Sequence, residues 1–544
     1  NNWYISEPLP SGIAEIDDAI GKHGIAGAKR AIDAELGRTA KRVVNEICTA
    51  YEKKGVPLVW MIPEFNLRDW RDPLTNAPYL PDGLNKEWLQ LMDEAECALR
   101  DRDLTRAETL AKRMVEIDGG VCVAGLYILA ECRRHANDIE SERNYLSLAR
   151  DATSWDLSRE TVPRPYSAMQ NAVREQTSKH NIQVIDLPAV FKEHLKGGIA
   201  DRSLFLDYCH LTTEGIQVAM GAAAACVLRA LKGVDRPWYA YLSEHVAPSP
   251  ETEAEALLLA AITNAHCSQP RDLVEYFCTR ALNFSPHVAE WMINYLELQT
   301  TRSAPPRMSK AEDQMWKSGS PLMRNLLRLN RKRLDRMLLK VCLDTLEQAG
   351  VDARKRVEQL CLDEHSVAHN PTDLLDYYYL SAADQPQEMV WLHRNERYRS
   401  TAEYYRAYWP ESRFIFVGEA GSAVGLCLTC RLPKSTAPGQ AVRLSLNGRQ
   451  QLKIAVDSEW TTFDINLPGA AVHNGLNELV ISWPMPEFES RTALEKARLK
   501  IIERKFPDFY PVFGEIHSFT ALDGRKASTY SHAVQTESSL VEVA

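Results

Sequence analysis

The sequence predicts a multidomain fold, in which an α/β domain is followed by an all-α region and then an all-β domain. Three observations carry this prediction. Helical patterns alternate with continuous apolar runs at the start of the chain, as in parallel α/β sheets. Helical patterns alone follow Gly233, and short alternating runs begin near Trp409. With 544 residues, the chain is long enough for about two to four domains.

The α/β domain is predicted over residues 1–232. Helical patterns fill 14–54 and end at Gly55, a residue type suited to a helix C-terminus. The runs VPLVWMI (56–62) and IQVIDLP (182–188) are mainly apolar, which is typical of strands buried on both faces of a sheet. We therefore expect two parallel strands with helices packed on them.

A helical insertion is predicted between these strands, at residues 88–152. The segment contains four helical patterns in two similar pairs, with RAETLAKRMVEID and SERNYLSLARDA as the corresponding second helices. Paired helices of this composition resemble tetratricopeptide repeats. Because two repeats are too few to fold alone, we expect them to pack on the α/β body, where they offer a surface for a protein partner.

The rest of the chain divides into three predicted regions. Residues 233–405 are expected to form a helical domain, and no catalytic motif occurs there. Residues 406–486 contain short alternating runs, and Asn447-Gly448 between two of them indicates a hairpin. This pattern predicts an antiparallel β-sandwich, jelly-roll-like, and similar in composition to carbohydrate-binding modules. Residues 487–544 are expected to hold a helix, a short strand and a polar tail.

Composition and sequence patterns argue against several classes of function. The formal net charge of −9 gives no basis for nucleic-acid binding. The longest apolar stretch, 216–231, is short and rich in alanine, so it predicts a buried helix rather than a membrane span. No signal-peptide pattern is present and the twelve cysteines have no disulfide spacing, so we expect a cytoplasmic protein. No cofactor or metal is expected, because Cys427 and Cys430 of the C-x-x-C motif alternate across a strand.

The main chemical motif is FLDYCHLTTEG (205–215). Asp207 and His210 are three residues apart, just before a predicted helix that Thr212 or Thr213 would cap. A carboxylate at this distance can fix the tautomer of a histidine and stabilise its protonated form, which makes the histidine a general base. The spacing by itself also fits a purely structural pair.

Together these segments resemble the SGNH (GDSL-type) hydrolases, a family whose final block is Asp-x-x-His followed by a helix. VPLVWMIPEFNLRDW and ARDATSWDLSRETVPRPYSAMQNAVRE are similar to segments of the bacterial subgroup with a tetratricopeptide insertion. The resemblance covers residues 1–232 and implies a partial flavodoxin-like α/β/α fold. It implies that His210 is the base for a serine, that Asp207 orients His210, and that Asn2 is the oxyanion asparagine if a glycine precedes Asn1.

The nucleophile of that family has no counterpart here. The triplet Gly-Asp-Ser does not occur in the sequence. Cys209 adjoins His210 in the chain, too close to be its natural target, and we interpret it as a small buried residue. We expect the serine and the first three strands of the family fold to lie on a segment that this sequence does not include.

Three function hypotheses follow. The first is an esterase or deacylase that acts on an acylated small molecule or an acylated carbohydrate. The second is an acyltransferase that uses the same site. The third is a non-catalytic, hydrolase-like scaffold that binds a protein through its helical repeats and a glycan through its sandwich. A metal enzyme has the least support, because neither His-Glu-x-x-His nor His-x-His occurs.

Overall fold

The computed structural model shows a mixed α and β fold in two compact units. The first comprises Asn1–Pro248 with Phe488–Pro511, and the second comprises Ser249–Glu487 with Val512–Ala544. The predicted boundary at residue 232 lies inside the first unit, and the predicted helical and sandwich regions share the second unit. The structure describes residues 12–72, 76–155, 164–244, 247–300, 317, 334–369, 371–375, 404–434, 436, 440–487 and 510–524.

A long helix and a two-stranded parallel sheet begin the first unit. Helix α1 (Gly12–Lys54) is kinked at Gly24 and, as predicted, Gly55 follows its end with a positive φ of 63°. Strands β1 (Val59–Ile62) and β2 (Gln183–Asp186) pair in parallel over their whole length. The parallel pairing that the alternation of helices and apolar runs predicts is therefore confirmed.

The two strands are shorter and less buried than predicted. Each has four residues. Within β1, Ile62 is fully buried, whereas Met61 exposes 40% of its surface. In the described part of the chain, β1 and β2 pair only with each other. Val59 is partly buried against a core cluster, whereas Met61 faces solvent. The expectation of a strand buried on both faces is wrong for β1.

Four helices lie between the two strands, at the position predicted for the insertion. Neighbouring helices in the chain pack on one another along the series. Asp103 and Asp138 cap the second and fourth of them, because each carboxylate accepts a hydrogen bond from a backbone N–H three residues on. The helices are α2 (Asn85–Arg100), α3 (Leu104–Asp118), α4 (Val123–His135) and α5 (Ile139–Ala152).

Three further helices complete the first unit around the sheet. Helices α6 (Ser167–Lys179) and α7 (Leu187–His194) each contact both strands, and α8 (Thr213–Lys232) contacts β2 and α7. One face of α8 lies in a core cluster with Phe205 and Phe191. The other face exposes apolar side chains, namely Ile216, Met220, Val227 and Leu231.

The prediction that 216–231 is a buried helix is therefore correct for one face only. Within the described ranges, α8 is the one helix that is long and apolar enough to cross a membrane by the criteria of length and composition. Its inner face is occupied by protein, because Val218 and Ala222 pack in the core of the first unit.

The second unit begins with helices, as predicted for 233–405. Among the described helices of this unit, the first contacts the second and the second contacts the fourth. Within the described residues the last of these helices ends at His365, and Thr372 and Asp373 then pair with a strand of one of the sheets described below. The helices are α9 (Pro250–His266), α10 (Arg271–Phe284), α11 (Val288–Thr300), α12 (Arg336–Gln348) and α13 (Arg354–His365).

Two antiparallel sheets follow these helices in the described part of the second unit. The first has the order β5-β10-β7-β8, and the second has the order β3-β11-β6-β9 with β4 also paired to β11. The strands are β3 (Thr372–Asp373), β4 (Tyr405–Ala407), β5 (Glu411–Gly418), β6 (Val424–Arg431), β7 (Ala441–Leu446), β8 (Arg449–Ala455), β9 (Thr461–Leu467), β10 (Gly475–Ser482) and β11 (Gly514–Asp523).

The sheets confirm the hairpin but extend beyond the predicted range 406–486. Asn447 and Gly448 join β7 to β8, and both have positive φ, as the turn requires. Strand β11 was expected to be a short strand outside the sandwich; it has ten residues and lies between β3 and β6. Long-range pairing decides this placement, and no local pattern encodes it.

Candidate functional site

Asp207 and His210 lie in the connection between α7 and α8, at the tip of a narrow loop. The loop is closed by an antiparallel bridge between Phe205 and Leu211. The backbone N–H of Leu206 donates to the carbonyl of His210 at 2.7 Å. These contacts force the chain to reverse direction between the two candidate residues, which brings their side chains to the same side.

Thr212 fixes the point at which this loop becomes a helix. Its hydroxyl oxygen accepts a hydrogen bond from the N–H of Gly215 at 3.1 Å, and its hydroxyl donates to the carbonyl of Ser203 at 2.7 Å. Of the two threonines proposed as caps, Thr212 is therefore the N-cap of α8. The cap holds the candidate histidine just ahead of the helix.

The candidate pair has the geometry of an acid–base dyad. His210 Nδ1 lies 2.6 Å from Asp207 Oδ2, so the hydrogen bond places the proton of neutral His210 on Nδ1. The Asp207 side chain is 9% exposed, whereas that of His210 is 70% exposed. The carboxylate therefore orients the ring from below, and Nε2 is the nitrogen left to accept a proton from another group.

Backbone amides also hold the carboxylate of Asp207. Asp207 Oδ1 accepts hydrogen bonds from the N–H of Cys209 at 2.9 Å and from the N–H of His210 at 2.8 Å. One oxygen thus binds the main chain and the other binds the imidazole. This division fixes the carboxylate plane and therefore the ring that it orients.

Asn66, in the loop that follows β1, holds the loop of the dyad by hydrogen bonds to its backbone. This residue is fully buried in the loop after β1. Its side-chain amide donates to the carbonyl of Asp207 at 3.1 Å, and its backbone N–H donates to the carbonyl of Tyr208 at 3.1 Å. Sequence reasoning did not assign a role to Asn66; its only signal was its position shortly after the apolar run 56–62, within EFNLRDW.

A second connection joins the same two loops through Asp69. Asp69 Oδ1 accepts hydrogen bonds from Arg202 Nε at 2.9 Å and Arg202 Nη2 at 2.6 Å. Asp69 Oδ2 accepts from the backbone N–H of Arg202 at 2.6 Å. The guanidinium of Arg202 and its backbone thus hold both carboxylate oxygens, a stronger arrangement than a single surface ion pair.

An aromatic cluster lies beneath the loop. The Tyr208 ring is 5.1 Å from that of Trp70 and 6.3 Å from that of Phe65. It also meets the His210 ring edge-on, at 6.3 Å between centroids. Trp70 and Phe65 are buried, so this cluster anchors the exposed histidine to the core.

Cys209 is not the nucleophile of the pair. Its Sγ lies 3.8 Å from His210 Nδ1, the nitrogen that already binds Asp207. Burial raises the pKa of the Cys209 thiol to about 11, and the Asp207 carboxylate contributes to the rise. The reactive thiolate is therefore disfavoured. The interpretation of Cys209 as a small buried residue is wrong, because the residue as a whole is exposed and only its thiol is partly withdrawn from water.

Glu64 is a buried carboxyl group that sequence reasoning missed. It follows β1, and its Oε1 accepts a hydrogen bond from the N–H of Phe65 at 2.8 Å. Burial raises the pKa of Glu64 to about 7, although Phe65 N–H and Arg150 oppose the rise. Arg150 Nη1 lies 4.0 Å from Glu64 Oε1. Glu64 thus titrates near neutral pH at the carboxyl end of a parallel strand, an edge where α/β sheets bind ligands.

Asn2, the candidate oxyanion residue, lies outside the described residues. Within the described ranges, Asp207, Cys209 and His210 form the one group of three metal-ligand side chains whose ligand atoms lie close together. Of the three predicted site residues, the structure thus brings Asp207 and His210 together. It places Asn66 and Cys209 beside them.

Comparison with known proteins does not assign a family. No family model and no curated protein matches the chain. Among solved structures, a ruminal GH26 endo-beta-1,4-mannanase is 13% identical over 28% of this chain and 25% of its own, with a TM-score of 0.16. A family GH115 4-O-methyl-alpha-glucuronidase with specificity for decorated arabinogalactans is 11% identical over 65% of this chain and 48% of its own, with a TM-score of 0.14. The chain thus spans less than half the length of either enzyme, and neither likeness carries an argument about fold or function.

Proposed function

We propose that the first unit is part of an SGNH-type ester hydrolase in which His210 is the general base and Asp207 orients it. The observation that carries this proposal is the 2.6 Å contact between His210 Nδ1 and Asp207 Oδ2. Because this contact commits Nδ1, the exposed ring presents Nε2 as the proton acceptor.

The proposed reaction needs a serine. Because the sequence holds no Gly-Asp-Ser, we assign the serine to a polypeptide segment outside it. His210 Nε2 takes the serine proton as the oxygen attacks the acyl carbonyl. The protonated imidazole then gives that proton to the leaving alcohol, and the acyl-enzyme forms. A water molecule then attacks the acyl-enzyme in the same way, with His210 again as the base, and the acid is released. Asn2 is assigned to hold the oxyanion in both steps.

The proposed substrate class is an acylated small molecule or an acylated carbohydrate. The same dyad would serve hydrolysis or acyl transfer, because the outcome depends on whether the complete site admits water to the acyl-enzyme. An acyltransferase needs a site that excludes water from the acyl-enzyme. Product analysis in the presence of an acceptor alcohol distinguishes the two reactions: transfer yields a new ester, and hydrolysis yields only the acid.

The test is ester cleavage by the protein as its source produces it, with any additional segment in place. We expect His210→Ala to lower kcat/KM by at least about a thousandfold. His180→Ala is the matched control, because His180 Nδ1 also lies 2.9 Å from a carboxylate, that of Glu52, but far from the candidate loop in sequence. Equal turnover in wild type and His210→Ala would refute the assignment.

A second candidate function, saccharide binding by the sandwich, has its own supporting observation. The Trp460 ring lies 5.2 Å from that of Tyr404 and 5.7 Å from that of His517, and the Arg431 guanidinium lies 4.3 Å over it. Partly exposed aromatic rings beside a hydrogen-bonding cation suit the apolar face and the hydroxyl groups of a sugar.

Intrinsic fluorescence titration with a panel of oligosaccharides tests this candidate. We expect a saturable change in wild type that Trp460→Ala abolishes. Trp291→Ala, which removes another half-buried tryptophan of the same unit, should keep the response. A panel without any response, or an unchanged response in Trp460→Ala, would refute saccharide binding at this cluster.

A further inference from the structure

We propose that Asp207, Cys209 and His210 form a binding site for one zinc-like divalent cation. Their ligand atoms all lie within 4.8 Å of one another. The site faces solvent, because Cys209 is exposed and the His210 side chain is 70% exposed. This inference about binding stands on the geometry of the loop and does not depend on the proposed hydrolase activity.

The ligand chemistry selects a borderline-soft metal. One thiolate, one imidazole and one carboxylate are the donors that proteins use for Zn²⁺, at about 2.3 Å to sulfur and 2.0–2.2 Å to nitrogen and oxygen. Tetrahedral ligands at these lengths lie roughly 3.3–3.6 Å apart. The observed separation of 3.8 Å between Cys209 Sγ and His210 Nδ1 is close to that value. Magnesium and calcium, which prefer oxygen donors, are disfavoured by the sulfur.

One local adjustment completes the site. The Asp207–His210 hydrogen bond, 2.6 Å long, has to open by roughly 0.7–1.0 Å to admit the metal between its two atoms. The proton on Nδ1 moves to Nε2. The Cys209 thiol, which stays protonated without a metal, loses its proton to solvent because the bound cation stabilises the thiolate. A water molecule takes the fourth position on the exposed side.

The surrounding contacts already hold the donors in place. Asp207 Oδ1 keeps its hydrogen bonds from the N–H groups of Cys209 and His210, while Oδ2 turns to the metal. Asn66 holds the backbone carbonyl of Asp207. These contacts orient the ligands before the metal arrives, as supporting hydrogen bonds do in established metal sites.

Metal binding and base catalysis exclude each other at this site. With a cation on Nδ1, the neutral imidazole carries its proton on Nε2 and cannot accept another from a serine. The cation would therefore inhibit the enzyme by occupying the same atoms that form the dyad. This consequence, unlike the binding itself, rests on the proposed function.

The test is titration of the reduced protein, as its source produces it, with Co²⁺, followed by displacement with Zn²⁺. We expect a thiolate-to-cobalt charge-transfer band in the near ultraviolet that saturates at one Co²⁺ per chain. Cys209→Ser should lose the band and bind at least about tenfold more weakly. Cys97→Ser is the matched control, since Cys97 is the other exposed cysteine of the described residues. No band in wild type, or an equal band in Cys209→Ser, would overturn the site.

Ester hydrolysis separates the two proposals. If wild type cleaves esters, the lowest Zn²⁺ concentration that fills the wild-type site should inhibit wild type and Cys97→Ser alike, and inhibition of Cys209→Ser should need at least about tenfold more Zn²⁺. Undiminished turnover in wild type at a Zn²⁺ concentration that fills the site would overturn the inhibitory consequence. A saturable cobalt band in a protein without esterase activity would support the metal site and count against the hydrolase.

Discussion

The side-chain amide of Asn66 donates a hydrogen bond to the backbone carbonyl of Asp207, a residue 141 positions further along the chain. Asn66 follows β1, and Asp207 belongs to the loop that precedes α8. The dyad is therefore held by two parts of the chain. The first supplies a buried hydrogen-bond donor, and the second supplies the reactive side chains.

Replacing Asn66 by alanine should destabilise the first unit by about 1–3 kcal/mol, because the buried carbonyl of Asp207 loses its donor. The N–H of Asp69 also loses its acceptor, Asn66 Oδ1. Urea unfolding measures the change. Asn144→Ala is the control, since Asn144 is exposed and its substitution should change the free energy of unfolding by less than about 0.5 kcal/mol. Equal stability of the two variants would show that the Asn66 contact contributes nothing.

Glu64 should make the first unit less stable as the pH rises from about 4.5 to about 7. Burial raises its pKa from 4.5 to about 7, so over this range the folded state holds a proton that the unfolded state has lost. The free energy of unfolding is therefore greatest below the pKa that Glu64 has in the unfolded state, and it falls as the pH rises to the pKa of the folded state. Glu64→Gln should remove this loss and be more stable than wild type by about 3 kcal/mol at pH 8, with little difference at pH 4.

Asp118 provides an internal comparison for this experiment. Burial also raises its pKa to about 7, although the N–H of Trp88 opposes the rise. Unfolding at pH 4 and pH 8 should therefore show a residual pH dependence in Glu64→Gln, and a smaller one in Glu64→Gln combined with Asp118→Asn. If the single variant keeps the full wild-type dependence, Glu64 is ionised in the folded protein and the prediction is wrong.

Replacing Arg202 by alanine should cost about 1.5–3 kcal/mol, because Asp69 loses two charge-assisted hydrogen bonds in a partly buried setting. The side chains of Arg202 and Asp69 are 24% and 10% exposed. Arg38→Ala is the control: Arg38 pairs with Glu35 at 57% exposure, and such a surface pair contributes about 0–1 kcal/mol. Chemical denaturation of both variants measures the difference. A loss in Arg202→Ala no larger than in Arg38→Ala would contradict the assigned role.

Gly448→Ala should destabilise the sandwich by about 1 kcal/mol, because the turn holds Gly448 at a φ of 77°, where a Cβ is strained. Asn447→Gly should keep the backbone geometry, since glycine also accepts positive φ at this position. It removes three side-chain hydrogen bonds, which Asn447 donates to the carbonyl of Ala471 and to Asn477 Oδ1 and accepts from the N–H of Glu478, so its cost measures these contacts together. Thermal unfolding of the second unit compares the variants, and a Gly448→Ala protein as stable as wild type would refute the strain.

The sequence by itself determined those features that short stretches of chain encode. Helical periodicity and caps located α1 and α8, and Asn447-Gly448 located the hairpin, because each depends on residues within a few positions. The Asp207–His210 contact belongs to the same class, since a three-residue spacing within one tight loop brings the two side chains together.

Tertiary structure alone decided which distant residues complete these elements. Asn66 and Asp69 reach their partners across 141 and 133 residues, and β11 takes an inner place in a sheet whose other strands precede it by many residues. Hydrogen bonds of this kind depend on packing rather than on local conformation, so no spacing in the sequence indicates them. The raised pKa of Glu64 has the same origin, because burial, and not the neighbouring residues in the chain, removes water from its carboxyl group.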